Sequence, residues 1–351
     1  IENVSASGYR YVGGLVGYVG EGSCVENCSV SGNVENEYVM GAIYTGGITG
    51  YSIGVILTCI NYSSVYSDGK NDVDDSSPGT GGIVGYNGGS IFECTNAGKI
   101  QNLGNGPCAG GIAGDNIKAV SGCVNRGEIY VVGYRGTTDA GGITGRTMEG
   151  SICNSINFGN VAVAAYYERG GGITGDGGNI KNCINYGTIC SAYNGNPYEA
   201  VLGGIAGSAS LSQNCINYGE IKTINSSNDS FGGISALGSA TQCANYSTLK
   251  GSASHVGGIT SSGTVNDCFT LGNGISGSTN FAYIGQHHKV DAFNSLNISK
   301  VAPVSGTYFT TKNVYGLREL YANDTISPHV LYNERGKSSS NTACLFSFLH
   351  Q

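Results

Sequence analysis

The dominant pattern along the chain is a recurring set of apolar positions separated by glycine and polar residues. A Gly-Gly-aliphatic unit occurs nine times at intervals of 25–35 residues, and we call its aliphatic member the anchor. The anchors are Leu15, Ile48, Ile83, Ile112, Ile143, Ile173, Ile205, Ile234 and Ile259. A fixed period of this length is typical of a solenoid, in which each repeat packs only on its neighbours.

A second block follows each anchor and reads aliphatic-x-x-Cys-x-Asn-x-Gly-x-aliphatic, as in residues 180–189. Its cysteine column is Cys28, Cys59, Cys94, Cys123, Cys183, Cys215, Cys243 and Cys268. In the fifth repeat Ser155 takes this position and Cys153 lies two residues earlier. Its asparagine column is Asn61, Asn96, Asn125, Asn157, Asn185, Asn217 and Asn245. We expect the cysteines inside, the asparagines bonded to the backbone and to one another, and the following glycine in a left-handed corner.

These columns predict an all-β fold, a right-handed parallel β-helix of about nine three-strand coils in which equivalent residues stack about 4.8 Å apart. We assign residues 1–273 to this repeat domain, as a piece of a longer chain truncated at its N-terminus. Residues 274–351 lack the repeat. Because an open solenoid end exposes apolar surface and unpaired strands, we assign them to a C-terminal cap.

Composition narrows the class of protein. The formal charge is −7 and no run of Lys or Arg occurs, which argues against nucleic acid as a partner. No apolar stretch is long enough to suggest membrane insertion. Of the 13 cysteines, we place the column members and Cys153 in the interior as reduced thiols, and Cys108 in a variable insert. No cofactor is expected.

Tyrosine marks the candidate ligand-binding positions. Three residues after the anchor lie Tyr18, Tyr51 and Tyr86; after the asparagine column lie Tyr186, Tyr218 and Tyr246; the inserts add Tyr134 and Tyr166. Columns of stacked rings are consistent with a carbohydrate platform, although mutual support between coils is the commoner explanation of such columns.

Two sets of acidic residues are candidates for chemistry. Asp115, Arg146 and Asp176 share the column three residues after the anchor, which places the two carboxylates about 9.6 Å apart, near the separation used by inverting glycosidases. An ion-pair ladder on the surface explains the same pattern. Asp68, Asp72 and Asp74 have the oxygen density of a calcium loop, or form a solvated acidic loop.

Residues 13–17 (GGLVG) and 27–34 (NCSVSGNV) resemble the GLUG motif of bacterial surface proteins, and the resemblance extends over about residues 11–273. That family occurs in secreted or wall-attached proteins, including adhesin-like proteins and regions that accompany immunoglobulin A peptidases. The resemblance implies an extracellular, cell-surface adhesin or stalk that presents Tyr-rich loops to a glycan or a host protein. Two alternatives stay open: a polysaccharide-active lyase or hydrolase using Asp115 and Asp176, and a structural spacer.

Overall fold

The computed structural model describes residues 1–270, except 9, 37–43, 70–77, 194–196, 224–228, 251–252, 254 and 267. Beyond residue 270 it describes only the backbone of residues 281–282, 290–293, 296–297, 309–312 and 315–316. Every regular element in these residues is a β-strand. No helix in this described part of the chain is long and apolar enough to cross a membrane.

The anchors lie directly above one another. Each anchor N–H donates to the carbonyl oxygen of the next anchor at 2.8–3.1 Å, in an unbroken series from Leu15 to Ile259. The strands on either side pair in parallel and in register, for example Thr144 with Thr174 and then with Ala206. The predicted parallel β-helix is therefore confirmed.

Each coil contributes strands to four parallel sheets, which we number 1 to 4 in the order in which the chain visits them from just before an anchor. Sheet 1 contains Tyr11–Gly13, Tyr44–Gly46, Gly79–Gly81, Cys108–Gly110, Thr137–Gly141, Tyr167–Gly171, Glu199–Gly203, Ser230–Gly232, His255–Gly257 and Phe281–Ala282. Sheet 2 contains Val16–Val19, Cys24–Glu26, Thr49–Ser52, Val55–Leu57, Val84–Asn87, Ser90–Phe92, Ala113–Asn116, Ala119–Ser121, Thr144–Cys153, Thr174–Lys181, Ala206–Gln213, Ser235–Thr241, Thr260–Ser262, Val265–Asn266, Val290–Phe293 and Phe309–Lys312.

The remaining strands complete the coil. Sheet 3 contains Ser29–Val30, Ile60–Asn61, Thr95–Asn96, Val124–Asn125, Ile156–Asn157, Ile184–Asn185, Ile216–Asn217, Ala244–Asn245, Phe269–Thr270, Leu296–Asn297 and Tyr315–Gly316. Sheet 4 contains Val4–Ser7, Gly32–Asn36, Ser64–Gly69, Ile100–Asn105, Ile129–Arg135, Val161–Ala164, Ile189–Ser191, Ile221–Lys222 and Leu249–Lys250. We expected three strands per coil, and the fourth sheet arises because the chain turns once more, just before the cysteine column.

The left-handed corner residues differ from the prediction. They are the residues immediately before the cysteine column, with φ of 49–68°: Asn27, Thr58, Glu93, Gly122, Asn154, Asn182, Asn214 and Gln242. The glycine after the asparagine, such as Gly159 or Gly187, is not left-handed. It is needed for space, because a Cβ on Gly187 would lie 1.9 Å from the carbonyl oxygen of Gly159 in the preceding coil. Our prediction of its conformation was wrong, and Ser63 and Ser247 occupy the same position after Asn61 and Asn245.

The cysteine column forms part of a dry interior. Seven of its members are fully buried beside the anchors: Cys59, Cys94, Cys123, Cys183, Cys215, Cys243 and Cys268. The first six carry free thiols. Cys153 is only half-buried and aligns with Ser121, so its predicted interior position was wrong. Ser155 fills the gap by accepting from the Cys123 N–H at 3.2 Å and donating to the Cys153 carbonyl at 2.8 Å. Burial of each apolar column member contributes about 1.5–3 kcal/mol.

The asparagine column forms the predicted ladder. From Asn61 to Asn217 each Nδ2 donates to the Oδ1 of the next asparagine at 2.8–3.1 Å. Each also donates to the carbonyl two residues onward, as Asn157 does to Gly159 at 2.8 Å. The side chains are fully buried. Buried amides that are satisfied in this way fix the turn between sheets 3 and 4 in every coil.

Parallel pairing continues past residue 273. Phe281–Ala282 extends sheet 1, Val290–Phe293 and Phe309–Lys312 extend sheet 2, and Leu296–Asn297 and Tyr315–Gly316 extend sheet 3. The boundary at residue 273 and the capping role of residues 274–351 stay predictions.

Candidate functional site

Sheets 1 and 2 carry two neighbouring columns of side chains that point away from the interior. The first column lies four residues before the anchor and the second three residues after it, so their members are always seven residues apart. The pairs, coil by coil, are Tyr11 and Tyr18, Tyr44 and Tyr51, Gly79 and Tyr86, Cys108 and Asp115, Asp139 and Arg146, Arg169 and Asp176, and Val201 and Ser208. We call this surface the paired-column face.

The first three coils of the paired-column face form an aromatic section of five tyrosines. Within the second column, Tyr51 stacks on Tyr86 with ring centroids 4.6 Å apart and on Tyr18 at 5.5 Å. Between columns the rings are tilted: Tyr11 meets Tyr51 at 5.0 Å and 45°, and Tyr44 meets Tyr86 at 4.9 Å and 49°. Tilted rings leave part of each face uncovered, and Tyr11 and Tyr18 are 40% and 50% exposed.

The next three coils form a charged section that contains the predicted acid pair. Asp115 accepts from Nε and Nη2 of Arg146, both at 2.9 Å, while Asp176 forms an ion pair with Arg169. Register places Arg146 between the two carboxylates. Arg146 nevertheless pairs only with Asp115, whereas Asp176 pairs with Arg169. Asp115 is only 1% exposed, and a substrate cannot reach it from solvent in this arrangement.

Sequence reasoning missed Asp139, which lies beside Arg146 and is 2% exposed. Burial, together with the nearby Asp176 carboxylate, raises its pKa to about 7. The pKa of Asp115 rises to about 6 because of burial, against the opposing effect of Arg146. The Cys108 thiol donates to Asp139 Oδ2 at 3.6 Å, and burial raises the pKa of this thiol well above its usual range. The prediction that Cys108 lies in a variable insert was wrong, because it begins a strand of sheet 1.

The arginine side chains of this section are more exposed to solvent than Asp115 and Asp139. The side chains of Arg146 and Arg169 are 28% and 36% exposed, whereas Asp115 and Asp139 lie almost completely beneath them. Asp115 Oδ2 and Asp139 Oδ1 have no hydrogen-bond partner within the described residues. Solvent therefore reaches the side chains of Arg146, Arg169 and, at 24% exposure, Asp176, whereas the carboxylates of Asp115 and Asp139 are buried.

A second aromatic region, which we call the aromatic stripe, lies on the outer side of sheet 3. Its members are Phe158, Tyr186, Tyr218 and Tyr246. Successive ring centroids are 4.9–5.1 Å apart and the planes differ by only 4–9°. Arg126 lies over Phe158 at 4.7 Å from the ring centroid. The ring faces cover one another, so solvent meets mainly ring edges and hydroxyl groups.

The other predicted residues lie apart from these two regions. Tyr166 stacks on Tyr198 at 5.5 Å, beside Tyr167, while Tyr134 is 41% exposed. Asp68 accepts from the Tyr66 hydroxyl at 3.2 Å. Asp72 and Asp74, the other members of the candidate calcium loop, fall outside the described residues. Across the described part of the chain, no group of three or more His, Cys, Asp or Glu side chains is placed to hold a metal ion.

The first column escaped sequence analysis because its residue types vary from Tyr to Gly, Cys, Asp and Arg. The constant spacing of seven residues from the second column was the available signal. Only the contacts between columns, such as Tyr44 with Tyr51 at 5.8 Å, show that the two form one surface.

The stacked columns and four parallel sheets define a β-solenoid repeat module. The chain carries the GLUG motif, whose family model matches residues 8–35, a segment that includes the first anchor and the first pair of the paired-column face. No curated protein and no solved structure matches the chain.

Proposed function

We propose that this repeat module is part of an extracellular, cell-surface protein, and that it binds a glycan along the aromatic section of the paired-column face. The observation that carries the proposal is the tilted arrangement of Tyr11, Tyr44, Tyr51 and Tyr86. Sugar rings pack their C–H faces on aromatic rings, and tyrosine adds a hydroxyl group for hydrogen bonding. A rigid scaffold lowers the entropy cost of presenting these rings together.

An adhesive role fits this geometry better than catalysis. The candidate acid Asp115 is buried and held by Arg146, and Asp176 is held by Arg169, so neither carboxylate is presented to a bound substrate. General acid–base catalysis needs the acid within hydrogen-bonding reach of the reacting atoms. In the aromatic section, in contrast, Tyr11 and Tyr18 are exposed and Tyr44, Tyr51 and Tyr86 are partly exposed.

The experiment is a binding screen of the purified chain against a panel of immobilised glycans, with product release measured in parallel. We expect binding without cleavage, and we expect Tyr44→Ala to reduce it at least tenfold. Tyr186→Ala, in the aromatic stripe, is the matched control and retains binding. Absence of binding to every glycan would favour a structural spacer, and cleavage of any glycan would contradict a purely adhesive role.

A further inference from the structure

The charged section of the paired-column face has the features of an anion-binding subsite. Each guanidinium carries five N–H donors. The ion pairs engage Nε and Nη2 of Arg146 and only Nη1 of Arg169. Both side chains are partly exposed, and the two arginines, one coil apart in adjacent columns, have N–H donors that these ion pairs do not use.

Tyrosines lie near this pair of arginines in two directions. In the second column Tyr86 aligns with Asp115, the partner of Arg146. In the strand that carries Arg169, Tyr167 lies two residues earlier, at the edge of the paired-column face, and its ring is 5.4 Å from that of Tyr198. A ligand on the charged section therefore has one aromatic ring in the coil beyond Asp115 and another beside Arg169.

The electrostatic balance of the section depends on protonation. The titratable groups facing the arginines are Asp115, Asp139, Asp176 and Cys108, with Tyr44 and Tyr86 at the border. With all three carboxylates ionised, the two arginines leave a formal charge of −1. Burial raises the pKa of Asp115 to about 6 and of Asp139 to about 7, so below these values both are neutral and the charge becomes +1. The section attracts anions better in mildly acidic solution.

We propose that the glycan bound by this module carries carboxylates, and that Arg146 and Arg169 bind one of them while the neighbouring tyrosines contact its sugar rings. Arginine suits this role because its planar fork matches a carboxylate. The inference rests on the proposed glycan-binding function and names the substrate class: an acidic, uronic-acid-containing polysaccharide.

The test compares alginate, polygalacturonate and hyaluronate with the same polymers after chemical reduction of their carboxyl groups, which leaves neutral sugars. We expect at least one acidic polymer to bind tenfold or more tightly than its reduced form at pH 5.5, and we expect this ratio to fall at pH 8. Arg169→Gln should bring the ratio close to one, and Arg146→Lys, which keeps a charge beside Asp115, should lower it. Asp139→Asn should reduce the pH dependence, because its side chain stays neutral, and Asp115 should account for the remainder.

The outcomes separate this inference from the proposed function. Tighter binding of the reduced forms, or equal binding of both forms, overturns the acidic class while leaving glycan binding intact. If none of the six polymers binds but neutral glycans in the general panel do, the acidic class is also overturned and glycan binding still stands. No binding to any glycan removes both proposals. Circular dichroism of each variant separates loss of the subsite from loss of the fold.

Discussion

The paired-column face and the aromatic stripe are built from the same residue type on the same repeat, yet they present different parts of the ring. In the stripe one ring per coil stacks on the next, with planes within 4–9°. In the first coils of the paired-column face two rings per coil meet across columns, at tilts of 38–57°. Within each column of that face the rings also stack, with planes 9–13° apart, so the difference between the two regions lies in the tilted contacts between its two columns.

The strand spacing explains the difference. In a column with one ring per coil, the strand spacing places successive rings at almost the stacking distance. Each inner ring therefore has one neighbour on each of its two faces. Two adjacent columns bring additional rings to the same height, and these cannot all be parallel and in contact. Phe158, Tyr186 and Tyr218 in the stripe are 42–47% exposed and Tyr11 and Tyr18 in the aromatic section 40% and 50%, so the two regions differ in ring orientation and not in exposed area.

The largest effect on stability is expected for a substitution in the asparagine ladder, next to the aromatic stripe. Asn157→Ala removes hydrogen bonds to Asn125, Asn185 and Gly159, all buried. Because the partners stay buried and unsatisfied, we expect a loss of about 4 kcal/mol in the free energy of unfolding, measured by urea denaturation. Asn160→Ala, which removes one exposed bond to Thr188, is the control. Equal losses in the two variants would show that the ladder is not a main source of stability.

The charged section should make the fold pH-dependent. The folded-state pKa of Asp139 is raised from 3.8 to about 7, so its contribution to stability is complete below the unfolded pKa and is lost as the pH rises through about 7. We expect unfolding free energy to fall between pH 4 and pH 7.5, by roughly 3 kcal/mol from this group. Glu168, whose pKa burial raises to about 7, acts in the same direction.

Asp139→Asn separates the two contributions. Chemical denaturation of this variant across the same pH range should show a smaller slope, with the remainder due to Glu168 and Asp115. An unchanged slope would mean that Asp139 is not protonated in the folded protein.

A smaller effect is expected within the stripe itself. Tyr186→Ala removes the ring between Phe158 and Tyr218, two stacked contacts at 5.1 and 5.0 Å. We expect a loss of about 2 kcal/mol in stability. Glycan affinity, measured by calorimetry on the folded variant, should change less than twofold. A large loss of affinity would assign ligand binding to the stripe and reverse the comparison.

The smallest effect concerns the end of the stripe. Arg126 covers the outer face of Phe158, and Arg126→Ala should lower the unfolding free energy by about 0.5–1 kcal/mol. Arg126→Met, which keeps an apolar stem over the ring, distinguishes packing from the cation–π interaction. Equal stability of the Ala and Met variants would indicate that packing of the stem contributes nothing measurable.

The repeat was predictable from the sequence wherever one residue type recurs. The anchors, the buried cysteines and the asparagine ladder follow from fixed spacing, because a narrow interior and a bonded turn each tolerate few residue types. The corner before the cysteine column was not predictable in the same way. Asn occupies it in four coils and Thr, Glu, Gly and Gln in one each, all with positive φ, so no single residue type marks it throughout.

The candidate site was only half predictable. The second column was found because Tyr18, Tyr51 and Tyr86 repeat, and the charged members Asp115, Arg146 and Asp176 continue it. The ion pair between Asp115 and Arg146 lies within that column. The partner of Asp176 was not found, because Arg169 belongs to the first column. Surface columns are free to vary in type along the solenoid, and only the fold shows which of them are neighbours.

The most direct test of the account is hydroxyl-radical footprinting of the tyrosines with and without a bound glycan from the screen. We predict that Tyr11, Tyr18, Tyr44 and Tyr51 become protected while Tyr186 and Tyr218 keep their reactivity. Protection confined to the aromatic stripe, or no protection at the paired-column face by a glycan that binds, would contradict the account.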